Sequence, residues 1–141
     1  ALRIRRATPR DIRRMAELER ACFEEPYPEE LLAYFLMSPR HVCLVAEVSG
    51  EVIGFVLARL RRDLSLQTPH TLATIYDLYV RPDWRQKGMG TALLKAALER
   101  LKARGATHVL VTAQVTNEAA IRLYRKLGFK DFRLTLVKRL E

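Results

Sequence analysis

The chain predicts an α/β domain: a mixed, twisted, mostly antiparallel sheet with a central parallel strand pair and helices on both faces. Three observations carry this. Strand and helix patterns follow one another as β, α, α, a β meander, then α, β, α, β. The first strands of the meander are joined by a short Ser49-Gly50 turn and are therefore antiparallel. The strand at 71–80 reaches that at 107–113 through a helix, which makes those two parallel. Ligands in such sheets gather at the carboxyl ends of parallel strands.

Residues 1–7 read as a short strand. Thr8-Pro9-Arg10-Asp11 then supplies a capping hydroxyl, a proline at the first helical position and an acid at the third, opening a helix over 9–22. Ile12, Met15, Ala16 and Leu18 form its apolar stripe, with arginines on the other face. Pro26-Tyr27-Pro28 breaks the chain, and Glu29 and Glu30 begin a second helix that Ser38-Pro39 ends. His41–Val48 and Glu51–Leu60 are the hairpin strands, and Arg61–Pro69 is polar without a sustained period. In the strand over 71–80, alternation puts Thr74, Tyr76, Leu78 and Val80 on one face. Leu93, Leu94, Ala97, Leu98 and Leu101 line a helix from 89 to 104, and Gly105 sits where a left-handed cap belongs. A strand over 107–113, a helix over 117–127 capped by Gly128, and a terminal strand over 130–140, straight or bent, complete the chain. No linker or repeat divides residues 1–141, so one domain is expected.

Composition narrows the function classes. Lys plus Arg number 25 against 16 Asp plus Glu, a formal charge of +9, with 19 of the cations arginine. The excess suits nucleic acid, an anionic membrane surface or a small polyanion, and composition does not choose among them, although the spread of the cations from Arg3 to Arg139 instead of one block weakens the nucleic-acid reading. No run approaches the roughly 20 apolar residues of a membrane span, and the amino-terminal residues lack the apolar centre of a signal peptide, so a cytoplasmic protein without a membrane partner is expected. Cys22 and Cys43 lack the spacing of a zinc site and are expected to be reduced and buried. His41, His70 and His108 lack paired spacing, so no metal is expected. Trp84 reads as a packing residue.

Arg85-Gln86-Lys87-Gly88-Met89-Gly90 lies between a strand end and a helix start, where backbone N–H groups are unpaired and the helix dipole is positive. Glycines at 88 and 90 let the backbone approach a phosphate, and Arg85 and Lys87 add charge-assisted hydrogen bonds. There is no Gly-Lys-Ser/Thr ending to hold magnesium, and the first glycine of a dinucleotide fingerprint would fall at Arg85.

The stretch from Ile75 to Leu94, with its Arg85-x-x-Gly88-x-Gly90 core, closely resembles the acetyl-CoA signature of the GNAT superfamily of N-acetyltransferases. A second block, Asn117-x-x-Ala120-x-x-x-Tyr124-x-x-x-Gly128-Phe129, resembles the same superfamily's downstream segment, and the element order extends the resemblance over nearly the whole chain. The resemblance implies acetyl-CoA as co-substrate. It implies that Leu78, Tyr79 and Val80 border the pantetheine arm, with Leu78 and Val80 offering backbone groups to it. Residues Arg85, Gln86, Lys87, Gly88, Met89, Gly90 and Thr91 would hold the pyrophosphate, Asn117 would bond the pantetheine region, and Tyr124 would point its hydroxyl at the thioester sulfur. A phenol of pKa about 10 can donate to a leaving thiolate whose reference pKa is about 8.5, so Tyr124 is the catalytic candidate.

Many relatives carry a Glu or His eleven residues before the motif's first Arg, or a Glu five residues before its Asn; here those positions hold Thr74 and Thr112. Threonine is no general base near neutral pH but can hold a water. Tyr76 and Asp77 remain on the strand; an acid there is common in relatives acting on polyamines, and alternation points Asp77 opposite to Thr74 and Leu78. A weak base suits an α-amine, about 14% neutral at pH 7, better than a lysine at about 0.04%. Phe23–Glu30 resembles the first inter-helix loop of protein N-terminal acetyltransferases, including those acting on ribosomal proteins. That likeness implies Tyr27 as a wall of the peptide site and Glu24 or Glu25 as an ammonium partner. Only twelve residues follow Phe129, fewer than the closing hairpin of those enzymes, which leaves an open groove.

The sequence is therefore read as an acetyl-CoA-dependent N-acetyltransferase in which the amine attacks directly, acting on a peptide or protein N-terminus, as monomer or homodimer. The alternatives are a small-molecule amine acetyltransferase, for a polyamine, amino acid or antibiotic, and a catalytically weak CoA-binding module.

Overall fold

A computed structural model describes residues 1–22, 27–63 and 70–141. Its elements are β1 (Leu2–Arg6), α1 (Ile12–Cys22), α2 (Glu29–Met37), β2 (His41–Val48), β3 (Glu51–Asp63), β4 (His70–Val80), α3 (Met89–Ala103), β5 (His108–Val111) and α4 (Glu118–Lys126). Short 3₁₀ turns at Pro9–Asp11 and Pro82–Trp84 precede α1 and the turn into α3. The five strands form one sheet in chain order, antiparallel except for the parallel β4–β5 pair.

Apolar stripes bring the helices onto the two faces. Leu93, Leu94, Ala97 and Leu101 of α3 bury against Val42, Leu44, Val56, Ala73, Ile75 and Val80 on one side. Met15, Ala16 and Leu18 of α1, with Leu32 and Phe35 of α2, bury against Val45, Phe55, Leu57 and Tyr79 on the other. Each fully buried Leu or Phe contributes about 1.5–3 kcal/mol before ordering costs. The amino-terminal capping box forms as the sequence indicates. Thr8 N–H and Oγ1 both donate to Asp11, and Arg5 adds a fork at 2.8 and 2.9 Å, tying β1 to the entry of α1.

Three expectations need correction. The terminal strand over 130–140 is not formed; the chain after Phe129 joins no ladder, so the parallel pair lies at the sheet's edge and not at its centre. β5 spans four residues and ends at Val111, leaving Thr112 and Ala113 outside it, whereas β3 continues through Arg61 to Asp63 in register with β4. The simple alternation read along β4 also fails. Leu57 pairs with Asp77 but Ala58 with Ile75, so Tyr76 is an extra residue in a β-bulge. Ala73, Ile75, Leu78 and Val80 face α3, while Tyr76 and Tyr79 face α1 and α2. The bulge thus puts Asp77 on the same side as Thr74 and Tyr76, and separates Thr74 and Tyr76 from Leu78 and Val80.

Candidate active site

Two strands that begin together and then part create the site. β5 pairs with β4 only from Leu72 to Ile75, while β4 runs on to Val80. Among the described residues, β4 from Asp77 onward has a ladder with β3 alone, so its other edge is open to an added extended group. At the end of that edge the chain turns through Pro82–Trp84 into α3.

This turn has the shape of an anion cradle. Gln86 and Gly88 both have left-handed backbones, φ 60° and 82°, on either side of Lys87. Such a sequence directs successive N–H groups to one side. The first intrahelical bond into α3 is Ala92 N–H to Gly88 O, so the N–H groups of Met89, Gly90 and Thr91 precede the ladder at the positive end of a fifteen-residue helix. At Gly90 an added Cβ would stand 3.5 Å from Leu123 and 3.9 Å from Val80, so the first turn of α3, the end of β4 and α4 converge there. A diphosphate fits this arrangement by charge and by donor set.

The basic side chains behave less simply. Arg85 turns back, its Nε donating to Val80 O at 2.7 Å and its guanidinium lying 5.5 Å from the Tyr79 ring centre. It therefore braces the end of β4 and occupies one acceptor site of the Val80 carbonyl. Lys87 lies over Trp84, 5.0 Å from the ring centre, and Trp84 itself packs against the α3-side core.

Asn117 caps α4, its Oδ1 accepting from Ala120 N–H at 3.2 Å, which leaves its amide NH₂ for other partners. About two turns further, Tyr124 packs against the α3-side core and against Phe129, with ring centres 5.7 Å apart. Burial pushes the Tyr124 phenol above its ordinary pKa, and the negative charge of Asp77 adds to this. The hydroxyl thus keeps its proton at physiological pH.

From the other face, Tyr27 packs on the α1–α2 core with its ring 6.0 Å from Phe35, and Tyr76 also meets Phe35, at 5.8 Å. The Tyr27 phenol is likewise raised, by burial first and then by the charges of Asp77 and Glu19. Asp77 is therefore common to both sides, felt by Tyr27 across one face and Tyr124 across the other. Its carboxyl is hydrogen-bonded to the carboxyl of Glu19 on α1 and to the Leu78 N–H. Burial pushes the Asp77 pKa up, and those two hydrogen bonds hold back part of the rise. Two carboxyls in direct contact cannot both ionise cheaply, so they titrate as a pair.

Glu19 is a site residue that the sequence reading does not single out, because it shares its helix face with the apolar stripe. Its signal was an acid on the buried stripe Ile12-Met15-Ala16-Glu19, where a solvated carboxylate has no place; Glu19 is 2% exposed. Thr74 stands on β4 opposite Leu110, and Thr112 is exposed just beyond β5. Glu24 and Glu25 lie outside the described residues, as does the side chain of His70. Cys43 is a free, buried thiol, while the Cys22 side chain is not described. His41 is buried between α2 and the sheet, its pKa lowered by burial and then by the charge of Arg59. Among the described residues no group of three or more His, Cys, Asp or Glu is placed to hold a metal, and no helix is long and apolar enough to cross a membrane.

A sheet whose paired strands part beside a helix-capped anion cradle is the architecture of a family that takes its acyl group from acetyl-CoA. The chain belongs to the acetyltransferase (GNAT) family, whose model matches residues 12–129, and it is an N-acetyltransferase. It is 33% identical over 137 residues to an N-alpha-acetyltransferase of Sulfurisphaera tokodaii, covering 94% of this chain and 82% of the relative. Among solved structures it resembles the ribosomal-protein-S18-alanine N-acetyltransferase from Escherichia coli, with TM-score 0.80, 24% identity, and 94% and 80% of the two chains covered. It also resembles an aminoglycoside acetyltransferase from an uncultured soil metagenomic sample, with TM-score 0.79, 25% identity, and 100% and 99% covered.

Proposed function

We propose that the enzyme acetylates the α-amine of a peptide or protein N-terminus, with Asp77 and Glu19 receiving the amine's proton and Tyr124 donating to the departing sulfur. The observation that supports this is the Asp77–Glu19 carboxyl pair, with Asp77 on β4 two residues beyond its last rung with β5 and its charge felt by Tyr27 and Tyr124. Relatives named N-alpha-acetyltransferase support the choice of acceptor.

Acetyl-CoA supplies the activated acyl carbon. The amides of Lys87–Thr91 hold its diphosphate, and the free edge of β4 beside Leu78 and Tyr79 runs along its pantetheine arm. The Val80 carbonyl, already bonded to Arg85, and the Leu78 N–H, already bonded to Asp77, are shared positions. The incoming ammonium is drawn to the carboxyl pair and gives up a proton to a carboxylate there. The neutral amine then attacks the carbonyl carbon, an N–C bond forms, the C–S bond breaks, and the nitrogen passes its second proton to water as the amide forms. Tyr124 O–H hydrogen-bonds to the sulfur and can pass it a proton, regaining one from solvent. A carboxyl pKa raised by burial makes the pair a stronger base than an ordinary carboxylate, and an α-amine with a reference pKa of about 7.8 needs only a modest base. Thr74 and Thr112 border the opening and can position water. The enzyme is expected to work in the cytoplasm.

The second reading is a small polyamine or aminoglycoside acceptor, favoured by the same acidic pair, which suits a polycation, and by the likeness to an aminoglycoside acetyltransferase. Release of CoA thiol from acetyl-CoA decides between them, over N-terminal peptides, a lysine peptide, spermidine and an aminoglycoside, with Tyr124→Phe alongside. Turnover of the N-terminal peptides, lost by about 10²–10⁴-fold in the variant while acetyl-CoA still binds, is expected. Turnover of the small amines alone refutes the peptide assignment. Thermal stabilisation by CoA without turnover of any acceptor points to the CoA-binding module.

A further inference from the structure

The ladders align His41, Arg59, Thr74 and Leu110 in one row across β2, β3, β4 and β5. His41 meets the rings of Tyr34 and Phe35 on α2, with centres 5.7 and 4.5 Å away. Residues directly opposite one another in a ladder share a face, so Arg59 and Thr74 also point to the α2 side. That is the side on which Tyr76 and Asp77 lie. Arg59 is half-buried; its Nε is shut off from solvent with no hydrogen-bond partner, and among the described residues its guanidinium has no ion pair. The fold treats other half-buried arginines differently. Arg5 is paired with Asp11 and Glu47, and Arg14 and Arg81 both meet Glu51. A guanidinium partly withdrawn from water without an anion is a cost to folding, and a ligand carboxylate would relieve it.

Arg59 also stands at a useful distance from the carboxyl pair. Thr74, its ladder partner, is three residues from Asp77 along β4, about 10 Å, and β3 lies one strand, about 4.8 Å, to the side. The backbones of Arg59 and Asp77 are therefore about 11 Å apart. An extended peptide advances about 3.3 Å per residue, so one whose α-amine meets Asp77 and Glu19 carries its second and third side chains toward Arg59. We propose that Arg59 is a specificity-determining residue of the acceptor site, binding an acidic side chain at the second or third position of the peptide whose α-amine is acetylated. The carboxyls take the ammonium at one end of the site, and the guanidinium takes a carboxylate at the other, in two parallel hydrogen bonds where the fork fits. The same charge opposes a polyamine whose second ammonium would fall there. The inference deepens the α-amine reading of the acceptor and rests on it.

CoA release from acetyl-CoA tests it with three peptides that begin Ser-Glu-Glu, Ser-Gln-Gln and Ser-Lys-Lys and are otherwise identical. In wild type, kcat/KM for the acidic peptide is expected to exceed that for the neutral one by about 10–100-fold, mostly through KM, with the lysine peptide poorest. Arg59→Gln is expected to level the acidic and neutral peptides, and Arg59→Glu to place the lysine peptide first. Each ratio is taken within one variant, so a general loss of activity does not move it, and the CoA-induced rise in Tm reports that each variant is folded. Arg61→Gln removes an exposed charge two residues along β3 and is expected to keep the wild-type order. Equal rates for the acidic and neutral peptides in wild type, a preference that survives Arg59→Gln, or one lost equally in Arg61→Gln overturns the proposal and leaves the α-amine assignment standing. Turnover of small amines with none of the three peptides overturns that assignment and this inference together.

Discussion

Replacing Gly54 by alanine tests how β3 supports the co-substrate edge of β4. Gly54 sits at a bulge, where Ala46 pairs with Gly54 but Glu47 with Val52. A Cβ added there would meet the Tyr79 carbonyl oxygen at 2.6 Å, and Leu93 Cδ1 and Val80 Cα at 3.3 Å each. Reaching an ordinary contact of 3.4 Å requires the Tyr79 carbonyl to move by about 0.8 Å. Backbone in the middle of a ladder yields poorly, and α3 blocks the other direction. Overpacking of this kind costs up to about 3 kcal/mol, and the lost freedom of glycine in the unfolded chain offsets about 0.4–1 kcal/mol. The net loss is about 2 kcal/mol. With an unfolding entropy of about 0.3 kcal/mol per kelvin for this length, Tm falls by about 7 °C. The displaced atoms belong to Tyr79 and Val80, beside the Arg85 brace, so KM for acetyl-CoA rises while the pH profile of turnover stays the same. Thermal unfolding by circular dichroism and steady-state kinetics measure both. A Tm within 2 °C of wild type with an unchanged KM refutes the reasoning, because it would mean that β4 is not held against β3 at this point.

Asp77→Asn is expected to lower kcat by about 10²–10³-fold with little change in acetyl-CoA affinity, and to remove the acid limb of the kcat/KM profile, which in wild type lies above the ordinary carboxylate range; a persisting limb assigns the proton transfer elsewhere. Asp11→Ala breaks the part-buried pair with Arg5, which keeps Glu47 as a partner, and costs about 1.5–3 kcal/mol, read as a lower urea midpoint at pH 7. Burial pushes the Asp11 carboxyl up, but the Arg5 fork and the Thr8 N–H outweigh it and hold the pKa below the usual 3.8. Its stabilisation is therefore present above pH 4 and lost as pH falls further, so wild type shows an acid-labile component that Asp11→Ala lacks. Burial pushes the Cys43 thiol up to about 11, so in a Cys22→Ala background it reacts with a disulfide reagent at pH 8 about 100-fold more slowly than an exposed thiol, from ionisation alone; equal rates with and without urea contradict its burial.

The sequence by itself determined the helices, most of the strands and the two motif blocks, because these depend on local chemistry. Capping at Thr8-Pro9, apolar spacing in α3 and the glycines at 88 and 90 act within a few residues, and each produces the expected local geometry. Tertiary structure decided what depends on pairing. The extra residue at Tyr76 turns Asp77 to the α1 side, and no alternation pattern along β4 alone contains that, since a bulge is a relation between two strands. Likewise Glu19 and Asp77, 58 positions apart in the chain, become a hydrogen-bonded pair only when α1 docks on the sheet. The segment over 130–140 has the pattern of a strand, but a strand exists only where an edge accepts it, and here none does. Local pattern sets what a segment can become; the partner supplied by the fold sets what it is.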